Sequence, residues 1–149
     1  MVRGIDTTFL VQLEVKESDG HVTAHAFLTR AFLDSGDELG VAPQVLEEFV
    51  HVVTDAKRFR NPLTMAEALD KADFWWRASE VHPVYPNHQS VLQFLEWMRA
   101  FRLGRKRIHD TLLAATYLTN GITEIVTSDR DGISAFSGLV TRDPLSMTS

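Results

Sequence analysis

The chain has 149 residues, a formal net charge of −5 at neutral pH, 44% hydrophobic and 23% charged residues, and no cysteine. This is the composition of one globular domain that buries a core unaided, and the missing cysteines exclude a disulfide scaffold, a thiolate zinc centre, an iron–sulfur cluster and a cysteine nucleophile. No run approaches the roughly 18–20 apolar residues of a membrane helix. The opening MVRGIDTTFLVQLEV meets Asp6 before any secretory-type apolar stretch, so a cytoplasmic protein is expected. The acidic balance argues against coating nucleic acid by bulk charge, and leaves room for a local basic patch or an acidic metal site.

Short β-rich runs alternate with longer segments of helical period, the pattern of an α/β fold with a largely parallel sheet. Val2 to Ile5 reads as a first strand, followed by a helix from near Phe9 that Thr7 or Thr8 can cap. A second helix is expected from Val22 to Asp34, with Ala26, Phe27, Ala31 and Phe32 inward, ending at Gly36. Leu39 to Ala42 is a short strand, and Pro43 suits the start of a helix over Gln44 to Thr54. Thr64 and Glu67 form a capping box for a helix reaching about Ser79. Val81 to Tyr85, split by Pro83, is an edge-strand candidate. Asn87 caps a helix ending at Gly104, another spans Arg107 to Asn120, and strands follow at Ile122 to Thr127 and Leu139 to Thr141. One domain over residues 1–141 with a short tail, 142–149, is expected.

Four acids stand in telling places. Asp6 ends the first strand, and ligands of open α/β sheets bind beyond the carboxyl ends of the strands; the plainer reading is a helix cap. Asp129 ends the late strand in EIVTSD, with Asp131 and Gly132 next, a pattern that also suits an ordinary turn. Adjacent parallel strands would bring both acids to one crevice. At about 100° per residue, Glu48 lies at the margin of the stripe Val45, Phe49 and Val53, whereas Glu47 points to the solvated side; an exposed glutamate pair is the alternative. Asp110 opens a helix that is apolar nearly all round, where an acid needs a cap, a partner or a metal. Carboxylates gathered in one crevice repel each other unless a cation neutralises them. With oxygen donors alone that cation is Mg²⁺ or Mn²⁺, and the chemistry it supports is metal-assisted phosphodiester hydrolysis.

The stretches GIDTTFLV, APQVLEEFVHVVTDAKRF, RIHDTLLAATYLTNG and EIVTSDRDGISAF occur in an order that resembles the PIN-domain ribonucleases, and within them the VapC-type toxins of toxin–antitoxin pairs. The resemblance runs from residue 1 to about 136. It implies a three-layer α/β/α domain whose mostly parallel sheet has about four to five short strands. It also implies that Asp6, Glu48, Asp110 and Asp129 are catalytic and hold Mg²⁺ or Mn²⁺, with Asp131 as a further metal ligand. The substrate implied is RNA, the partners a cognate antitoxin and a second copy in a homodimer. Gly132 departs from the family, where many members carry Phe, and the hydroxyls of Thr7 and Thr127 are expected to orient the acids or a water.

Arg99, Arg102, Arg105, Lys106 and Arg107 crowd into nine positions before Asp110, as a phosphate-binding patch or as cations near a helix end. His21 and His25 have the spacing of a chelating pair but lack a third ligand. His109 diverges from Asp110 by about 100° and has no place in the mechanism. Trp75 and Trp76 cannot both point inward, so one is expected at solvent, RNA or another chain. An aspartyl phosphatase would need an acid where Thr8 stands, and a phosphorylated receiver would need paired acids and a late lysine. A catalytically silent PIN-like module that binds RNA or protein is the remaining alternative.

Overall fold

The computed structural model describes residues 1–133 and 136–146, the side chains of Arg130 and Asp131 excepted. The described elements are β1 (Val2–Ile5), α1 (Thr7–Glu14), α2 (His21–Leu28) running into a π-turn (Thr29–Leu33), β2 (Glu38–Val41) and α3 (Pro43–Val53). They continue with α4 (Met65–Arg77), β3 (Val81–Pro83), α5 (His88–Ala100), a 3₁₀ turn (Arg105–Arg107), α6 (Ile108–Thr119), β4 (Glu124–Val126), α7 (Arg130–Ile133) and β5 (Val140–Arg142).

The five strands are all parallel, in the order β3-β2-β1-β4-β5. The chain lays β2 and β3 to one side of β1, then returns to place β4 on the other. Right-handed crossovers then put α1 to α4 on one face of the sheet and α5 to α7 on the opposite face. The packing agrees, with α1 against α2 and α3, α3 against α4, and separately α6 against α5 and α7. The result is the α/β fold with a parallel sheet expected from the alternation, in the three-layer α/β/α architecture that the resemblance implied. Between β1 and β4 the strand order reverses, which opens a crevice at their carboxyl ends.

Local chemistry accounts for most boundaries. Pro43 occupies the first turn of α3, both capping boxes form at Thr64–Glu67 and Asn87–Ser90, and Gly121 turns the chain at φ 77° after α6. Pro83 lies on the edge strand β3, where its missing N–H matters least. Three expectations are corrected. Asp6, rather than a threonine, caps α1 by accepting from the Phe9 amide at 3.1 Å. The second helix is shorter and is continued by the π-turn: Ala24, Phe27 and Leu28 form its buried face and leave Ala26 exposed, and across the extra residue of the turn Phe32 is buried while Ala31 is only partly so. Residues 130–133, read as a turn, form the short helix α7.

Trp75 is buried and donates its indole N–H to Glu14 Oε1 at 2.8 Å, while Trp76 packs edge-on against Tyr85. The exposed aromatic of that run is therefore Phe74. His21 and His25 bond to the carbonyls of Gln12 and Leu13 at the end of α1, which gives the pair a capping role in place of chelation.

Tyr117 joins α6 to the sheet. It is fully buried, and its hydroxyl donates to the carbonyl oxygens of Ile5 on β1 and Gly40 on β2. Its ring lies on β1 at Gly4, where a β-carbon would come within 2.6 Å of the ring. Gly4 is thus bare for space. Tyr117→Phe keeps the ring and strands both carbonyls, so we expect a loss of about 1–3 kcal/mol in stability. An unchanged midpoint of urea denaturation would show that the hydroxyl contributes nothing.

Candidate functional site

Asp6 leaves β1 where the strand order reverses. It is 8% exposed and has three local commitments: its backbone N–H reaches Val126 on β4, one carboxylate oxygen caps α1, and the other accepts from the Thr127 hydroxyl. Thr127 continues β4, and its hydroxyl oxygen also accepts the Asp129 amide at 3.0 Å. One buried hydroxyl thus ties the tips of β1 and β4 together and fixes the loop that carries Asp129. Asp129 itself is exposed.

On the other flank, Thr7 plays the matching part. Its hydroxyl faces α3, 3.2 Å from Glu48 Oε2 and 3.4 Å from the Val45 carbonyl. Glu48 therefore turns toward the end of β1, in line with its position at the margin of the apolar stripe. Glu47, assigned to the solvated side, also borders the crevice. It shares a cleft of about 450 Å³ with Thr7, Gln44, Val45, Glu48, His51, His109, Asp110 and Leu113. Asp110 stands in the first turn of α6, half-buried, with the helix N-terminus favouring its charge.

Electrostatics couples these groups. Burial pushes the Asp6 carboxyl up from 3.8 to about 7, against the pull of its bonds from Thr127 and Phe9, and the Asp110 and Glu48 charges push the same way as burial. Asp110 is also raised, first by burial and then by Asp129 and Glu48, while Arg107 and His109 act in the opposite sense. Asp6 thus lies in the field of Glu48 and Asp110 near the end of β1, and Asp110 in that of Glu48 and Asp129. The donors are carboxylates and hydroxyls, which suit a hard divalent cation, and such a cation would relieve the repulsion that raises Asp6 and Asp110. Among the described residues, no three acids or histidines stand close enough together to form a coordination sphere as they are. The Asp131 side chain lies outside the described residues.

Sequence reasoning passed over two residues of this neighbourhood. Gly132, a turn signal in the sequence, packs within α7 against Asp110 and Asp129. His109, which the helical angle turns away from Asp110, lines the same cleft from the mouth of α6. Neither has a local sequence signal, since Gly132 depends on how α7 meets the start of α6, and His109 on how α6 faces α3 across the cleft.

The sequence profile of the PIN domain family matches residues 5–139. No curated protein matches the chain. Among solved structures, the chain is similar to VapBC-1 of nontypeable Haemophilus influenzae, with TM-score 0.68 and 15% identity over 98% of this chain and 100% of that one. It is also similar to Mycobacterium tuberculosis VapC20, a toxin that cleaves the sarcin–ricin loop, with TM-score 0.69 and 18% identity over 91% and 95% of the two chains. A toxin–antitoxin complex from Klebsiella pneumoniae aligns with TM-score 0.60 and 11% identity over 95% and 97%. At such identities the likeness is one of fold, whereas the profile match spans nearly the whole chain, from the end of β1 to the start of β5: this protein belongs to the PIN domain family.

Proposed function

We propose that the chain is a divalent-metal-dependent ribonuclease and the toxin of a type II toxin–antitoxin pair, acting in the cytoplasm. The observation that carries this reading is the buried Asp6 carboxyl at the reversal point of the sheet, pressed on by Asp110 and Glu48 and linked through Thr127 to the loop of Asp129. Asp6, Glu48, Asp110 and Asp129, with Asp131 as a further ligand, would hold Mg²⁺ or Mn²⁺. When bound, the ion supplies neutralisation of the phosphodiester charge and a lowered pKa for water. Thr127 and Thr7 restrain the carboxyls of Asp6 and Glu48, so less orientation is lost when a cation arrives.

The basic segment before α6 supports an RNA substrate. Arg3, Lys71, Arg77 and Arg142 each pair with a carboxylate. Arg99, Arg102, Arg105, Lys106 and Arg107 make no ion pair among the described residues, and the chain carries them directly to Asp110. Cations left unpaired beside an acidic cleft fit a polyanion that bridges both. The antitoxin partner follows from the toxin–antitoxin relatives, and Phe74, Leu69 and Met65, exposed on α4, offer apolar surface for it or for a second copy in a homodimer.

Purified protein should cut a mixed cellular RNA pool into discrete fragments with Mg²⁺ or Mn²⁺. Cutting should stop with EDTA and fall by at least about 10²-fold in Asp6→Ala and Asp110→Ala. Intact RNA in every condition, with a folded protein that still binds Mn²⁺, would move the reading to a silent binding module.

The raised Asp6 carboxyl, with the raised Asp110 acting in the same direction, gives the metal-free protein a pH dependence. The folded chain keeps a proton that the unfolded chain loses above its ordinary value, so stability is present at low pH and falls as pH rises from about 4 to about 7. Asp6 alone would account for roughly 4 kcal/mol of that fall. Urea denaturation in EDTA should trace it, Asp6→Asn should reduce it to the part that Asp110 contributes, and Mn²⁺ should oppose it by taking the proton's place. A parent profile that is flat between those pH values would sink the assignment.

A further inference from the structure

Arg107 stands apart from the other cations of its segment. Arg99, Arg102, Arg105 and Lys106 are exposed, whereas Arg107 is half-buried at the end of the 3₁₀ turn, three residues before Asp110. Its guanidinium crosses to α7 and lies against Gly132. A β-carbon on Gly132 would stand 2.7 Å from Arg107 Nη1, 3.0 Å from Asp110 Oδ2 and 3.4 Å from Asp129 Oδ2. One guanidinium and two carboxylates converge on the bare face of one glycine. Arg107 still closes no ion pair with either acid among the described residues.

Gly132 is helical and does not take a positive φ, so its backbone would accept any residue. Its bareness serves the space that the guanidinium head and the Asp110 carboxylate occupy. A cation held among acids without pairing to them is arranged for a third group. A metal ion would be repelled by it. A phosphodiester is attracted by it, because the planar fork of a guanidinium matches two phosphate oxygens.

We propose that Arg107 is a catalytic residue that grips the scissile phosphodiester through its non-bridging oxygens, with Gly132 kept bare to admit it. The inference rests on the ribonuclease reading. In hydrolysis a water oxygen bonds to phosphorus, the bond to the leaving ribose oxygen breaks, and the two protons of the water pass to the leaving oxygen and to solvent. Arg107 neither gives nor takes a proton. It opposes the charge that builds on the non-bridging oxygens as the new bond forms, where a fixed cation in a partly dry site acts most strongly. The exposed cations of the segment draw the polyanion in.

The test compares parent, Arg107→Ala, Arg107→Lys, Gly132→Ala and Arg105→Ala in steady-state RNA cleavage, with Mn²⁺ binding followed by calorimetry. Arg107→Ala should lower kcat by about 10²–10³-fold while binding Mn²⁺ as tightly as the parent or tighter, because a repelling charge has gone. Added guanidinium should restore part of its activity, and Arg107→Lys should fall between, keeping the charge without the fork. Gly132→Ala displaces the flexible head of Arg107 and should lower kcat in the same direction with the protein folded. Arg105→Ala should raise KM and weaken the salt dependence instead.

Turnover of Arg107→Ala within about threefold of the parent overturns the assignment. So does a loss of activity matched by a loss of Mn²⁺ affinity, which would make Arg107 a support for Asp110. A parent that cleaves no RNA defeats the ribonuclease reading, and this assignment with it. A parent that cleaves as well as its Arg107→Ala variant defeats the assignment alone.

Discussion

A carboxyl buried at the tip of the central strand is the most expensive object in this fold. Taking the charge of Asp6 out of water is unfavourable, and the nearby Asp110 and Glu48 make it more so. The two hydrogen bonds that Asp6 accepts, from Thr127 and from the Phe9 amide, offset part of the cost and leave the carboxyl far above its ordinary range. The surrounding structure serves this one group: β1 ends on it, α1 starts on it, and the Thr127 hydroxyl joins it to β4. A helix cap alone would not require burial or acid neighbours. Asp6 is a cap, and its burial and its acid neighbours are features that capping does not account for.

The opposite layer is held to the same point. Tyr117 sends its hydroxyl to the Ile5 carbonyl, one residue before Asp6, and so sets the depth at which α6 meets the sheet. Asp110 begins that helix seven residues earlier, about two turns away. The register of α6 on β1 thus determines how near Asp110 comes to Asp6. The ring fits because Gly4 has no side chain. Stability and site geometry are in this way one constraint, since a shift of α6 would open the core at Tyr117 and separate the acids together.

How much of this was legible in the sequence depended on whether the signal was local. Alternating strands and helices, Pro43, the two capping boxes and the terminal glycines act within a few residues, and the elements they predict are present with shifts at their ends. Asp6 and Asp129 could be placed together because strand tips follow from strand order. Glu48 could be separated from Glu47 by its angle on α3, although the cleft proved wide enough to admit both. The π-turn was hidden, because no residue pattern marks an extra residue in a helical turn, and the apolar run Ala31, Phe32 and Leu33 fits more than one face. Which of Trp75 and Trp76 lies deeper was open for a reason no periodicity carries: the Trp75 indole meets Glu14 from another helix.

The two glycines that matter most were the hardest to read. In a single sequence Gly4 and Gly132 resemble a weak point in a strand and a turn signal. Each instead marks the landing place of a long side chain from α6 or its entrance, Tyr117 on Gly4 and Arg107 on Gly132. In both cases the glycine is defined by what it lacks, and the partner lies on a distant segment. The same logic sets the charge balance of the crevice. Glu48 and Asp110 act on Asp6, and Asp129 acts on Asp110, with Arg107 as a cation that stops short of pairing, so the excess of negative charge is reduced without being cancelled. A site fully neutralised by its own residues would hold neither a cation nor a phosphate, and one with no fixed cation would repel the phosphate until the metal was bound.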